Sequence, residues 1–276
     1  MKLFNKVVII GTGLIGGSLG LALKEKHLVS RITGLSRHRR NAGLAKKAGA
    51  IDYAAVSLEV VKDADLIILA TPVEAIIEIA LKIAKKIKRD CVVIDVGSTK
   101  EAIVSRLSRV IPNFIGCHPL SGSERRGVVN LESGIFKNSL CIITPTAKTN
   151  KKILSKVSLL WRRLGSKVVI LSPQEHDRIL SFTSHLPHAV AFSLMGCIPA
   201  KLLSLSSAGL RDSTRISASD ANLWGEVFLS NRKNLLSCLS AFQTKLAVLK
   251  LAIERKNKKL LINILAAAKK KREKLG

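Results

Sequence analysis

The run Lys6-Val-Val-Ile-Ile10 leads directly into Gly11-Thr12-Gly13-Leu14-Ile15-Gly16 and then into an apolar stretch ending at Leu23. This spacing asks for a strand, a tight turn and a helix, in that order. Gly11 suits the turn, Gly13 lets the backbone approach a pyrophosphate, and Gly16 permits close helix packing. The helix N-terminus then receives negative charge. The same glycines separate the segment from a signal peptide, because they interrupt the apolar run and no small-residue cleavage motif follows.

Strand and helix signals continue to alternate. Arg31–Leu35, Leu66–Ala70, Cys91–Asp95, Phe114–Cys117, Leu140–Ile143 and Lys167–Ile170 read as strands. Helical spacing lies between them, at 39–48, 73–86, 99–108 and 151–164, with Val56–Lys62 a weaker candidate. Such alternation predicts an α/β Rossmann domain, a doubly wound parallel sheet, over residues 1–171. After Ser172-Pro173 the period is helical throughout, with long stretches at 222–250 and 251–274, so residues 172–276 read as an all-α domain. Amphipathic helices of that length ask for a partner, and a homodimer built on this domain is the expectation.

The chain carries a formal net charge of +27. Up to residue 171 there are 29 basic and 12 acidic residues, and 17 and 7 after it, so the excess is not gathered in a nucleic-acid arm. One tyrosine and seven phenylalanines give no stacking platform for bases. No clean apolar twenty-residue stretch is evident, so no membrane span is expected. The five cysteines form no C-x-x-C unit and read as reduced thiols of a cytoplasmic protein, and no metal-ligand spacing appears.

Beyond the second strand, dinucleotide sites that bind NAD place a carboxylate for the ribose 2′-hydroxyl. Here the segment is Ser36-Arg37-His38-Arg39-Arg40. Ser36 and Arg37 suit a 2′-phosphate, so NADP is preferred, with NAD possible. Thr71-Pro72, ending the third predicted strand, completes the expected cofactor edge.

Two histidine-bearing segments remain: Gly116-Cys-His118-Pro-Leu-Ser-Gly-Ser123-Glu124-Arg-Arg-Gly127, and Ser184-His185-Leu-Pro187-His188. The first resembles the histidine–proline loop of prephenate dehydrogenases. Asp95-Val-Gly-Ser98-Thr-Lys100 resembles their strand-end serine motif, and His176-Asp177 with Ser184–His188 their helical-domain signature. Arg211-Asp212-Ser-Thr-Arg215, with Asp220 and Trp224, resembles their substrate-arginine segment. The resemblance spans residues 6 to about 250, and its serine–histidine–leucine–proline–histidine match is the specific part.

The resemblance implies oxidative decarboxylation of prephenate, or of arogenate, in tyrosine biosynthesis. It implies His118 as proton acceptor, Ser98 near the nicotinamide and Arg215 on the ring carboxylate with Asp212 orienting it. It also implies His188 at the substrate side chain, and Ser123 and Glu124 lining the loop. Other readings stay open from the residues themselves. His185 reads better as structural, His176-Asp177 equally as the start of a helix, and Trp224 as core. A β-hydroxyacid-type dehydrogenase is the alternative enzyme, though its catalytic lysine has no conspicuous counterpart. A non-enzymatic dinucleotide- or nucleic-acid-binding protein is the third reading.

Overall fold

The computed structural model describes residues 2–121, 127 and 130–275. By compactness the chain divides into Met1–Asn231 and Arg232–Gly276.

The first unit is built on an eight-stranded sheet of order β3-β2-β1-β4-β5-β6-β7-β8. Its strands are β1 (Phe4–Ile10), β2 (Val29–Leu35), β3 (Tyr53–Ala55), β4 (Leu66–Leu69), β5 (Val92–Asp95), β6 (Phe114–Pro119), β7 (Leu140–Thr144) and β8 (Lys167–Ile170). Strands β1–β6 are parallel, as the alternation predicts. The sheet is nevertheless mixed. Strand β7 pairs antiparallel with β6, with His118 opposite Ile142, and β8 follows β7 in parallel. An antiparallel neighbour needs no crossover helix, and the described residues between β6 and β7 form only short 3-10 structure, as at Ser133–Phe136. The three-residue β3, with Tyr53 exposed, carries no apolar signature and escaped the sequence reading.

Alternate residues of the central strands enter separate cores. Val7, Ile9, Leu66, Ile68 and Ile94 pack on one face, with Leu19 and Leu23 of α1 (Leu14–Glu25) and Trp161 of α5 (Lys151–Arg163). Val8, Ile10, Ile67, Leu69 and Val93 pack on the other, with Ile76 and Ile83 of α3 (Val73–Ile83) and Ile103 of α4 (Glu101–Leu107). Burial on both faces explains why these strands read as continuous apolar runs. The remaining sheet helix is α2 (Arg39–Lys47).

Beyond β8 the chain is helical. Helix α6 (Pro173–Leu180) starts in a capping box between Ser172 and Glu175. It passes through a π-helical turn, Ser181–His185, into α7 (Leu186–Cys197). Pro187 has no N–H to donate back into the preceding turn, and the helix widens just ahead of it. Helices α8 (Ala208–Thr214) and α9 (Ala221–Ser230) complete this unit. The predicted helix over 222–250 is broken at Asn231, a buried residue whose side chain is held by Asp177 and His185.

The second unit holds α10 (Arg232–Glu254) and α11 (Lys258–Arg272), the latter capped by Asn257. Helix α10 is long and apolar enough, by length and composition, to cross a membrane. Polar residues are scattered along it, so its sequence shows no unbroken apolar run.

Candidate active site

Parallel strands place their C-terminal ends on one edge of the sheet, and the turns that follow them gather there. The Gly11–Gly16 turn follows β1, Ser36-Arg37 follows β2, Thr71-Pro72 follows β4, Ser98 follows β5, and His118 is the penultimate residue of β6. Strand β1 lies between β2 and β4, which is where the strand order reverses and a crevice opens.

The glycine turn is shaped as the fingerprint requires. Gly11 has φ +99°, and a Cβ there would lie 2.3 Å from the Ala70 carbonyl oxygen. A Cβ at Gly16 would lie 1.9 Å from the Gly11 carbonyl oxygen, whereas one at Gly13 would meet nothing within 4 Å. Gly13 therefore faces open space, and it is also the N-cap of α1 without a side-chain cap. Leu14 and Ile15 form the first turn of α1, behind that cap. Thr12 is buried, and neither its hydroxyl nor that of Thr71 finds a partner among the described residues. Open backbone at a helix N-terminus, beside two orphaned hydroxyls, fits a dinucleotide pyrophosphate. Pro72 is the N-cap of α3, and Arg37 is exposed.

A chain of hydrogen bonds crosses from the sheet to the helices. His118 Nδ1 lies 2.8 Å from His176 Nε2, and His176 Nδ1 lies 2.7 Å from Asp177 Oδ1. Asp177 also accepts the N–H of Lys100 at 2.7 Å and of Glu101 at 2.9 Å, so its carboxylate caps α4. Burial works to raise the Asp177 carboxyl, but these bonds outweigh it and hold it below its usual range.

An ionised Asp177 can only accept, which makes His176 Nδ1 the donor. Neutral His176 then accepts at Nε2, and His118 donates from Nδ1. The bare nitrogen of His118 is therefore Nε2. Burial, then the charges on His176, Lys100 and His185, would all oppose a proton on His118 and hold its pKa well below the ordinary value. The arrangement can accept a proton at His118 Nε2 and spread the new charge toward Asp177, as an aspartate–histidine pair does.

The other predicted residues fall into three groups. Ser98 is half-buried in the turn between β5 and α4. His188 stacks on Trp224 with ring centroids 3.4 Å apart and places Nδ1 2.9 Å from the Ser184 carbonyl oxygen. Its pKa is lowered, first by burial and also by the Arg215 charge, with the Ser184 carbonyl working the other way. Arg215 itself is exposed at the end of α8, and Asp212 is exposed on that helix. Ser123 and Glu124 lie outside the described residues.

His185 lies in the π-helical turn. It is buried against Asn231 Nδ2 at 3.0 Å, and burial pushes it down to about 4. His176-Asp177 does not start a helix; it sits in the body of α6, three residues past Pro173. Trp224 is half-buried and forms the flat surface under His188. Asn231, which no sequence motif marks, joins the Asp177 carbonyl to His185.

The family model described as prephenate dehydrogenase, nucleotide-binding domain, matches residues 19–170. The model described as prephenate dehydrogenase, dimerization domain, matches residues 172–267. The chain is 33% identical to the prephenate dehydrogenase of Bacillus subtilis, over 98% of this chain and 76% of that protein. A crystal structure of prephenate dehydrogenase from A. aeolicus, in complex with hydroxyphenyl propionate and NAD+, superposes with a TM-score of 0.93. Identity is 33%, over 100% of this chain and 99% of that one. The Synechocystis arogenate dehydrogenase structure superposes at 0.85, with 27% identity over 98% and 100% of the two chains. With a dinucleotide-shaped edge, a histidine relay beside it and matches along almost its whole length, the chain belongs to the prephenate/arogenate dehydrogenase family of oxidoreductases.

Proposed function

We propose that this chain oxidatively decarboxylates prephenate or arogenate, with His118 Nε2 as the acceptor of the ring hydroxyl proton. The observation that carries this reading is the Asp177–His176–His118 chain, which leaves one imidazole nitrogen bare beside the cofactor edge. A bound nicotinamide dinucleotide supplies the hydride acceptor. His118 takes the hydroxyl proton as the ring carbon loses hydride. The ring carboxylate then leaves as carbon dioxide, its bonding pair enters the ring, and the oxygen regains its proton from His118. Ser98, in the turn after the neighbouring strand β5, holds hydroxyl and imidazole in register.

Arg215 is assigned to the ring carboxylate and His188 to the substrate side chain, supported by the resemblance of segments 211–215 and 184–188 to those of the family. Replacing Arg215 with alanine is expected to raise KM by about tenfold or more with a smaller loss in kcat. An unchanged KM removes Arg215 from the site.

NADP is the preferred cofactor in this reading. Support comes from the segment after β2, where Ser36 and Arg37 stand and no carboxylate occurs through Arg40. The decisive assay crosses both substrates with both cofactors. Turnover with neither substrate sinks the function, and a clear preference for NAD sinks the cofactor assignment. Arg37→Ala is expected to raise KM for NADP by about tenfold and leave KM for NAD unchanged.

The chain acts as a homodimer in this reading, with α10 as part of the buried surface. Leu236, Phe242, Leu246, Leu251 and Ile253 are all exposed on that helix. A second copy covers such a face in water, which is why its apolar length is read as an interface rather than a membrane span.

A further inference from the structure

Lys100 is one of the largest fully buried side chains of the protein, at 0% exposure, and its ammonium contacts Asp95 Oδ2, also at 0%. Burying two charges costs more than their attraction returns in many proteins, so such a pair calls for a reason. Its surroundings supply one. Asp95 ends β5, and its Oδ2 also accepts the Gly97 N–H at 2.9 Å. Lys100 closes the same turn five residues later, and its own N–H is bound by Asp177. Between them lie Ser98 and Thr99, the latter 2.7 Å from the Ser230 hydroxyl. The lysine chain runs beside Gly116, where a Cβ would lie 3.2 Å from Lys100 Cδ. Gly116 stands two residues before His118 in β6, and a Cβ there would also meet Thr144 Oγ1 at 2.4 Å and Val104 Cγ2 at 2.7 Å, so the strand that carries the imidazole is packed closely against all three side chains.

We propose that Lys100 is a positioning residue for the reaction: paired with Asp95, it closes the Ser98 turn and holds a buried positive charge in the turn whose backbone is bound by Asp177, the end of the His118–His176 chain. The charges that act on His118 are those of His176 of α6, Lys100 and His185 of the π-helical turn, and Asp177 is reached through its bond to His176. The Lys100 charge lowers both His118 and His176, second to burial and to the neighbouring imidazole for His118, and behind burial and the Asp177 bond for His176. Asp95 acts on His176 in the opposite sense and more weakly. Burial pushes the Asp95 carboxyl itself upward, against the pull of the ammonium. The net effect is an imidazole pair held ready as a base into mildly acidic solution.

This inference rests on His118 as proton acceptor, and the experiment separates the two. Profiles of kcat against pH are measured on the full chain for wild type, Lys100→Met and Lys100→Met/Asp95→Asn, with His118→Asn alongside. Activity requires a neutral imidazole, so the acidic limb marks its protonation. Removing a positive charge that acts on the ring makes protonation easier and moves that limb upward. Expected are a shift of about one pH unit toward neutrality in both lysine variants, and a fall in plateau kcat of about tenfold with KM for the dinucleotide within about twofold of wild type. A limb that stays in place overturns the proposal whatever happens to kcat, because a loosened turn alone lowers the plateau without moving the limb. A double variant that does not fold assigns the pair to folding and overturns it equally. Full turnover in His118→Asn sinks the proton-acceptor reading and the inference with it, whereas an inactive His118→Asn beside a limb that stays in place in the lysine variants overturns the role of Lys100 alone.

Discussion

Replacing His118 with asparagine is expected to lower kcat by about 10²–10⁴-fold, the range supplied by a positioned general base. Asparagine retains a donor for His176 Nε2, so the relay remains hydrogen-bonded while the basic nitrogen is lost. The ring lies at the end of β6, flanked by the buried Cys117 and Pro119, and the smaller side chain disturbs neither the sheet nor the glycine turn after β1. Dinucleotide affinity, read by fluorescence titration, is therefore expected to stay within about threefold of wild type. Turnover within a few-fold of wild type would remove His118 from the chemistry. A parallel collapse of cofactor binding would reassign it to the architecture of the cleft.

The second large effect is on stability in acid. The site contains four histidines whose pKa values are all lowered in the folded protein, with burial the largest cause in each: His118, His176, His185 and His188. Above about pH 6.5 they are neutral in both folded and unfolded chains and contribute no pH dependence. Below it the unfolded chain binds protons that the folded chain refuses, so stability falls as pH falls. For His185 that loss continues until its folded value, about 4. His176 and His185 are both essentially inaccessible; His185 alone is expected to cost about 1 kcal/mol between pH 6.5 and 5.5, and His176 adds to the loss in the same direction. Denaturant unfolding at about pH 7.5, 6.5 and 5.5 measures this directly. Stability that is flat or rising toward acid would mean that these rings charge freely in the fold and that the relay is solvated.

Much of the fold was legible because burial on both faces of a parallel sheet leaves unbroken apolar runs, and because Gly11 and Gly16 are required by contacts under 2.5 Å. What escaped lacked such marks. Strand β3 is short and half exposed. The antiparallel turn at β7 depends on which edge of the sheet the chain re-enters, which a local pattern does not encode. The break at Asn231 is hidden because the surrounding residues have good helical spacing. The residue leaves the helix to satisfy the Asp177 carbonyl and His185, two partners far away along the chain.

The site divides the same way. Residue type and spacing singled out the glycine turn, the two histidine-bearing segments and the basic segment after β2, and the family resemblance gave Ser98, His118 and His188 their roles. Only the tertiary structure joined His118 to His176 across 58 residues, set Asp177 on the far side of that ring and buried Lys100 against Asp95. By itself the sequence determined a nucleotide-binding sheet followed by helices, and the histidines available to it. Which nitrogen stays bare, and which charges act on it, was decided by packing. Tautomer and pKa depend on neighbours brought within hydrogen-bonding distance and sealed from water, and neither condition exists until the chain has folded.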